Sequence, residues 1–137
     1  MSGSTRNTRN TRQREVILDV IDAAQGPLPV GRIHERARRE VPSLGIATVY
    51  RTLKLLLAQE RIVAVELPGE ETHYEPAGRG HHHHFRCLDC EVWFELTTCL
   101  VPHLDGTTLR EGFTIEGHYL ALYGRCSACA ASSITAR

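Results

Sequence analysis

The sequence predicts an α+β chain in two parts, a helical N-terminal part closed by a β-hairpin and a smaller, mixed C-terminal part. Three observations carry this. Charge divides at Arg61: residues 1–61 hold 11 Lys/Arg against 6 Asp/Glu, and residues 62–137 hold 5 against 10. Three stretches with helical apolar spacing fill the first part, and β-branched or turn-rich segments fill the second. All five cysteines and seven of the eight histidines fall in the acidic part. A neutral chain with oppositely charged halves implies a polyanion for the first half and cations for the second.

Residues 1–10 repeat Thr-Arg-Asn and offer nothing to bury, so they read as a flexible basic tail. From Gln13 a helix follows, with Thr11 as its N-cap and Val16, Ile17, Val20, Ile21 and Ala24 on one face. Gly26-Pro27 ends it. A second helix is predicted over Val30–Val41, with Ile33, Ala37 and Val41 inward, and a third from Ile46 to Gln59, burying Val49, Leu53, Leu56 and Leu57. Strands over Ile62–Leu67 and Thr72–Glu75, joined by the turn at Pro68–Glu71, complete a winged helix over residues 11–75.

Pro76–Gly80 is a hinge by composition. Beyond it, residues 81–137 read as strands near His82–Arg86 and Val92–Leu96, a short helix over Cys99–Leu109 and a long strand over Phe113–Tyr123. No apolar run approaches the roughly 18 residues a membrane span needs. The N-terminus has no hydrophobic stretch of a signal peptide, and a cytoplasmic protein is expected.

Cys87/Cys90 and Cys126/Cys129 form two Cys-x-x-Cys pairs separated by 35 residues. Two residues between thiolates let both sulfurs reach one ion from a tight turn, and two such turns complete the closed sulfur set of structural Zn²⁺. A redox dithiol is the rival. It usually comes singly at a helix start, and neither pair is expected there. Cys99 is left as a small buried hydrophobe, a supplementary ligand or a redox-sensitive thiol.

His81-His82-His83-His84 lies inside the chain beside a cysteine pair. In an extended segment, His81 and His83 point one way and His82 and His84 the other, so one strand supplies two metal sites. Glu75, Glu95, His73, His103 and His118 are further candidate ligands. Imidazole with carboxylate suits Zn²⁺, Fe²⁺, Mn²⁺ or Ni²⁺. There is no His-Glu-x-x-His helix, no deaminase signature and no nucleophile motif, so an enzyme with a small organic substrate is not expected. A metal buffer would use the histidines but leave the basic half without a purpose.

Thr11-Arg12-Gln13-Arg14, the segment Gly45–Leu53 (Gly-Ile-Ala-Thr-Val-Tyr-Arg-Thr-Leu), the His-x-His-x-x-Cys-x-x-Cys block at His82–Cys90, and His118 before Cys126 together resemble the ferric uptake regulator family over roughly residues 11–129. The resemblance implies a homodimeric, metal-dependent transcriptional repressor with a C-terminal dimerisation and metal-sensing domain. Its partner is double-stranded DNA, an AT-rich palindromic operator, faced by Thr48, Tyr50 and Arg51, with Arg14 as a further contact. It also implies a hinge regulatory site of Glu75, His82, His84 and Glu95. A second site would use His81, His83 and His118, completed here by His103 in place of a carboxylate from the intervening helix. Iron-sensing members have a histidine where Pro27 stands, which leaves room for His73 as a replacement ligand. Zinc-sensing members have a cysteine near Pro76. Zinc is the regulatory ion favoured by these histidine-rich sites; manganese, iron or a peroxide response comes next.

Overall fold

The structure is a computed structural model that describes residues 3–135. The chain divides after Gly78 into two compact units.

The N-terminal unit runs α1 (Gly3–Ala23), β1 (Leu28–Pro29), α2 (Val30–Ala37), α3 (Ile46–Ala58), β2 (Ile62–Val65) and β3 (His73–Pro76). Its core is one cluster of Val16, Ile17 and Ile21 from α1, Ile33 and Ala37 from α2, Val49, Leu53 and Leu56 from α3, and Ile62 from β2. Positions 49, 52, 53 and 56 are the buried face of α3, so positions 50, 51 and 54 must face out. Leu53 is fully enclosed in that face. Leu53→Ala is expected to cost about 2–5 kcal/mol, read from the urea midpoint of helix loss; a negligible shift would mean that α3 is not seated in this core.

Several elements differ from the sequence-based expectation. The first helix begins at Gly3, so residues 3–10 are helical rather than a flexible tail, and Met1 and Ser2 lie outside the described residues. Thr11 is therefore no N-cap; its hydroxyl donates back to the Asn7 carbonyl at 2.9 Å, inside the helix. Once a packed segment has nucleated a helix, each added residue costs little, even with nothing to bury. The second helix stops at Ala37, four residues early, and continues as turns to Val41. The two-residue strand β1 has no signal in the sequence. It pairs with β3 on the side away from β2, giving the sheet order β1-β3-β2. Pro76 closes β3, paired with Ile62, and so is part of the wing.

The C-terminal unit has β4 (His83–Cys87) in the centre of a three-stranded sheet, antiparallel to β5 (Trp93–Leu96) and parallel to β6 (Ala121–Gly124), with α4 (Ser127–Thr135) after it. The expected helix over Cys99–Leu109 is absent. Pro102 and Gly106 (φ 85°) turn the chain instead. Residues 106–115 double back on themselves, with Leu109 N–H donating to Phe113 O and Ile115 N–H to Thr107 O. The expected strand over Phe113–Tyr123 therefore shrinks to β6, because its first residues are taken by this small hairpin.

Among the described residues of this unit, few side chains are buried: Cys87, Trp93, His83 and His84. Leu88, Leu100, Leu109, Phe113, Tyr119 and Tyr123 are exposed. A unit this poor in apolar core needs a metal, a partner chain or both.

Candidate metal centres and nucleic-acid surface

The four paired cysteines meet at one end of the C-terminal sheet. Their sulfurs all lie within 4.8 Å of one another, and Cys90 Sγ is 3.9 Å from Cys126 Sγ. Zn–S bonds of about 2.3 Å in a tetrahedron require S···S edges of about 3.8 Å. Cys87 ends β4, and the turn after it closes with Glu91 N–H donating to Cys87 O and Cys87 N–H to Val92 O. The second pair is brought up by β6, where Gly124 O accepts from Leu88 N–H at 2.7 Å. A side chain at Gly124 would meet the Phe85 ring at 3.1 Å, so glycine permits the close approach. Arg125 Nε contacts Asp89 Oδ2 at 3.2 Å and ties one knuckle to the other.

The thiols are unequal. Backbone N–H groups of Cys90 and then Cys126 pull Cys87 down to about 6, and the Cys126 N–H lies 3.3 Å from its sulfur. Hydrogen bonds from the Cys126 and Cys87 sulfurs push Cys129 up to about 12. One sulfur ionises readily, and Cys90 and Cys129 resist further negative charge unless a cation joins them. That is the chemistry of a metal cage. One expectation needs correcting: Cys126 immediately precedes α4, so the second pair does stand at a helix start. Position at a helix start thus no longer argues against redox chemistry. The convergence of all four sulfurs does.

The histidine run divides by alternation. His81 and His83 join His118 and Cys99, with all four donor atoms within 4.8 Å. His83 Nε2 is 3.2 Å from His118 Nε2 and 3.3 Å from Cys99 Sγ, and Cys99 Sγ is 3.4 Å from His118 Nε2. His118 Nδ1 lies 2.9 Å from Asp105 Oδ1. Burial, then the neighbouring imidazoles His81 and His118, hold His83 below the ordinary imidazole value, which keeps it in its metal-binding form.

His103 is not in this set. It is exposed, and its carbonyl accepts the Thr107 hydroxyl at 2.8 Å. Its candidacy comes from the resemblance, as a substitute for a carboxylate carried by the intervening helix, and that helix does not form. Cys99 stands there instead, and Asp105 supplies a carboxylate that sequence reasoning misses. The only signal for either was an unpaired cysteine in a half crowded with ligands.

On the other side of the run, His82 and His84 stack edge to face at 5.0 Å, and His82 Nδ1–H donates to Gly80 O at 2.9 Å. Glu95 lies across the ladder from His84. Its carboxylate holds Arg79 at 3.0 Å and does not gather with the two imidazoles. In the N-terminal unit, His73 and Glu75 share the buried face of β3, and His73 Nδ1–H donates to Glu71 O at 2.7 Å.

The N-terminal unit presents a polar cleft between α1 and α3, lined by Asn10, Gln13, Arg14, Thr48 and Arg51. Arg51 Nη2 donates to Thr48 Oγ1 at 3.1 Å. Tyr50 is 57% exposed, so it is no core aromatic. Thr48, Arg51 and Arg14 thus line one cleft together with Asn10 and the buried Gln13, while Tyr50 is exposed on the same helix outside that lining.

The profile of the ferric uptake regulator family matches residues 5–123. A ferric uptake regulation protein of Campylobacter jejuni is 32% identical over 122 residues, covering 87% of this chain and 78% of the relative. A zinc uptake regulation protein of Mycobacterium tuberculosis is 27% identical over 127 residues, covering 92% and 98%. Among solved structures, a zinc-bound manganese uptake regulator superposes with a TM-score of 0.73 at 28% identity, covering 83% of this chain and 87% of that one.

Proposed function

The chain belongs to the ferric uptake regulator family, and from that premise we propose that it is a homodimeric repressor whose grip on an AT-rich palindromic operator depends on a divalent ion, zinc before manganese or iron. The supporting observation is one strand, β4 with its approach, whose alternating imidazoles serve different donor sets in a chain whose other unit is a basic winged helix. Cys87, Cys90, Cys126 and Cys129 hold a structural zinc. Glu75, His82 and His84 hold the regulatory ion, with His73 as a further donor; Glu95 fixes Arg79 rather than the ion. His81, His83 and His118 belong to a second site. The exposed apolar side chains of the C-terminal unit are where a second copy packs.

Tyr50 reads base edges or a thymine methyl in the major groove, and Arg51 and Arg14 take phosphates. In a twofold pair the two α3 helices must stand about 34 Å apart to enter successive major grooves. A bound divalent ion supplies the charge that lets Glu75 and the two histidines act as one ligand set. Metal and DNA then favour the same arrangement and strengthen each other's binding.

Mild chelation, which strips the histidine sites and spares the four-cysteine zinc, should weaken operator binding by about 5–150-fold. A gel shift with and without added zinc, manganese or iron measures this and ranks the metals. Unchanged affinity after verified metal loss rejects metal control.

A further inference from the structure

We propose that Cys99 is a thiolate ligand of the site formed with His81, His83 and His118, and that this mixed sulfur–imidazole set selects zinc-like tetrahedral ions over manganese. The inference rests on the reading of the histidine run as metal-binding, and it assigns that second site its donor chemistry.

Geometry carries the first half. The three contacts among His83 Nε2, His118 Nε2 and Cys99 Sγ, at 3.2, 3.3 and 3.4 Å, form a near-equilateral face. A tetrahedral zinc with Zn–N of about 2.0–2.1 Å and Zn–S of about 2.3 Å demands N···N edges of about 3.3 Å and N···S edges of about 3.6 Å. The face has those dimensions. The His81 ring packs edge-on, 4.6 Å from the ring of His83 and 4.8 Å from that of His118, and offers a fourth donor atom within 4.8 Å of the other three. Asp105 accepts from His118 Nδ1–H at 2.9 Å, which fixes the tautomer that turns Nε2 toward the other donors. A ligand and its orienting carboxylate are both present.

Donor chemistry carries the second half. Three imidazoles and a thiolate hold no oxygen ligand, and Asp105 is engaged in orienting His118. Manganese(II) favours oxygen donors and octahedral surroundings, whereas sulfur with imidazole in four-coordination suits zinc and its spectroscopic surrogate cobalt(II).

The test uses the full-length chain with its four-cysteine zinc in place, confirmed by elemental analysis before and after titration with cobalt(II). Wild type should gain near-ultraviolet sulfur-to-cobalt charge transfer and intense tetrahedral visible bands while retaining one zinc per chain. Cys99→Ser should lose the charge-transfer band, and His82→Ala should keep it. Asp105→Ala should weaken cobalt binding by about 10–100-fold. Added zinc should also protect Cys99 of the wild type from alkylation, a readout that holds even if a variant folds poorly. A missing band in the wild type, a band that survives Cys99→Ser, or alkylation indifferent to zinc overturns the assignment. None of these results bears on operator binding through the hinge ligands, so this inference and the proposed function can fail separately.

Discussion

Cys87→Ser is expected to release the structural zinc and unfold the C-terminal unit while the N-terminal helices persist. Structural zinc sites contribute about 10–16 kcal/mol of apparent binding energy to small domains, and whole domains are stable by only about 5–15 kcal/mol. A unit whose described residues bury little beyond Cys87, Trp93, His83 and His84 has little apolar reserve to absorb such a loss. Serine keeps its proton where the Cys87 thiol, helped by backbone N–H groups, gives it up at about 6. The chain's single tryptophan is a ready reporter. Trp93 is buried in this unit with its ring 5.9 Å from that of Tyr123. Its emission should shift to the red and zinc should fall below one per chain, while far-ultraviolet helix signal largely remains. A Cys87→Ser protein with full zinc and blue emission would refute a structural role for the cage.

The second large effect concerns control. His82→Ala combined with His84→Ala should erase the metal dependence of operator binding, a loss of about 5–150-fold in the metal-loaded form, with the dimer intact by sedimentation. Alternation is the reason for the selectivity. Removing these two rings leaves His81 and His83 on the other side of the run, and leaves the four sulfurs beyond. His83→Ala is the matched control, since it removes an equally buried ring from the other set. Because His84 is buried too, Trp93 emission must be shown to be unchanged in the double variant. Full metal dependence in a well-folded double variant would rule out these ligands.

Much of the fold and of the metal chemistry is legible in the sequence because it rests on periodicity or fixed spacing. The three helices of the N-terminal unit follow from apolar residues recurring at three and four positions, and the wing follows from a β-branched run and Pro68-Gly69. The Cys-x-x-Cys spacing points to a metal before any fold is known, and alternation alone separates His81 and His83 from His82 and His84. What stays hidden depends on contacts distant in sequence. The pairing of β1 is decided by β3, since two residues carry no period. Residues 97–120 fold through turns at Pro102, Gly106 and Gly112, where a helix is expected and His103 stands in for its missing carboxylate, so the meeting of Cys99 with the histidines is not legible. Arg79 captures Glu95 across a strand, a pairing no spacing rule contains.

Four identical residues in a row pose a problem of phase. Shifting β4 by one place along its neighbours would bring His82 and His84 to where His81 and His83 belong, with imidazoles still on both faces and no chemical penalty to report the slip. The datum must lie elsewhere on the strand. It lies at the far end, where Cys87 pairs with Gly124 and the Phe85 ring fits against the same glycine. A cage that grips position 87 would thereby tell each imidazole upstream which way to look, and an ion held there would serve as the ruler by which the histidines are dealt to their sites.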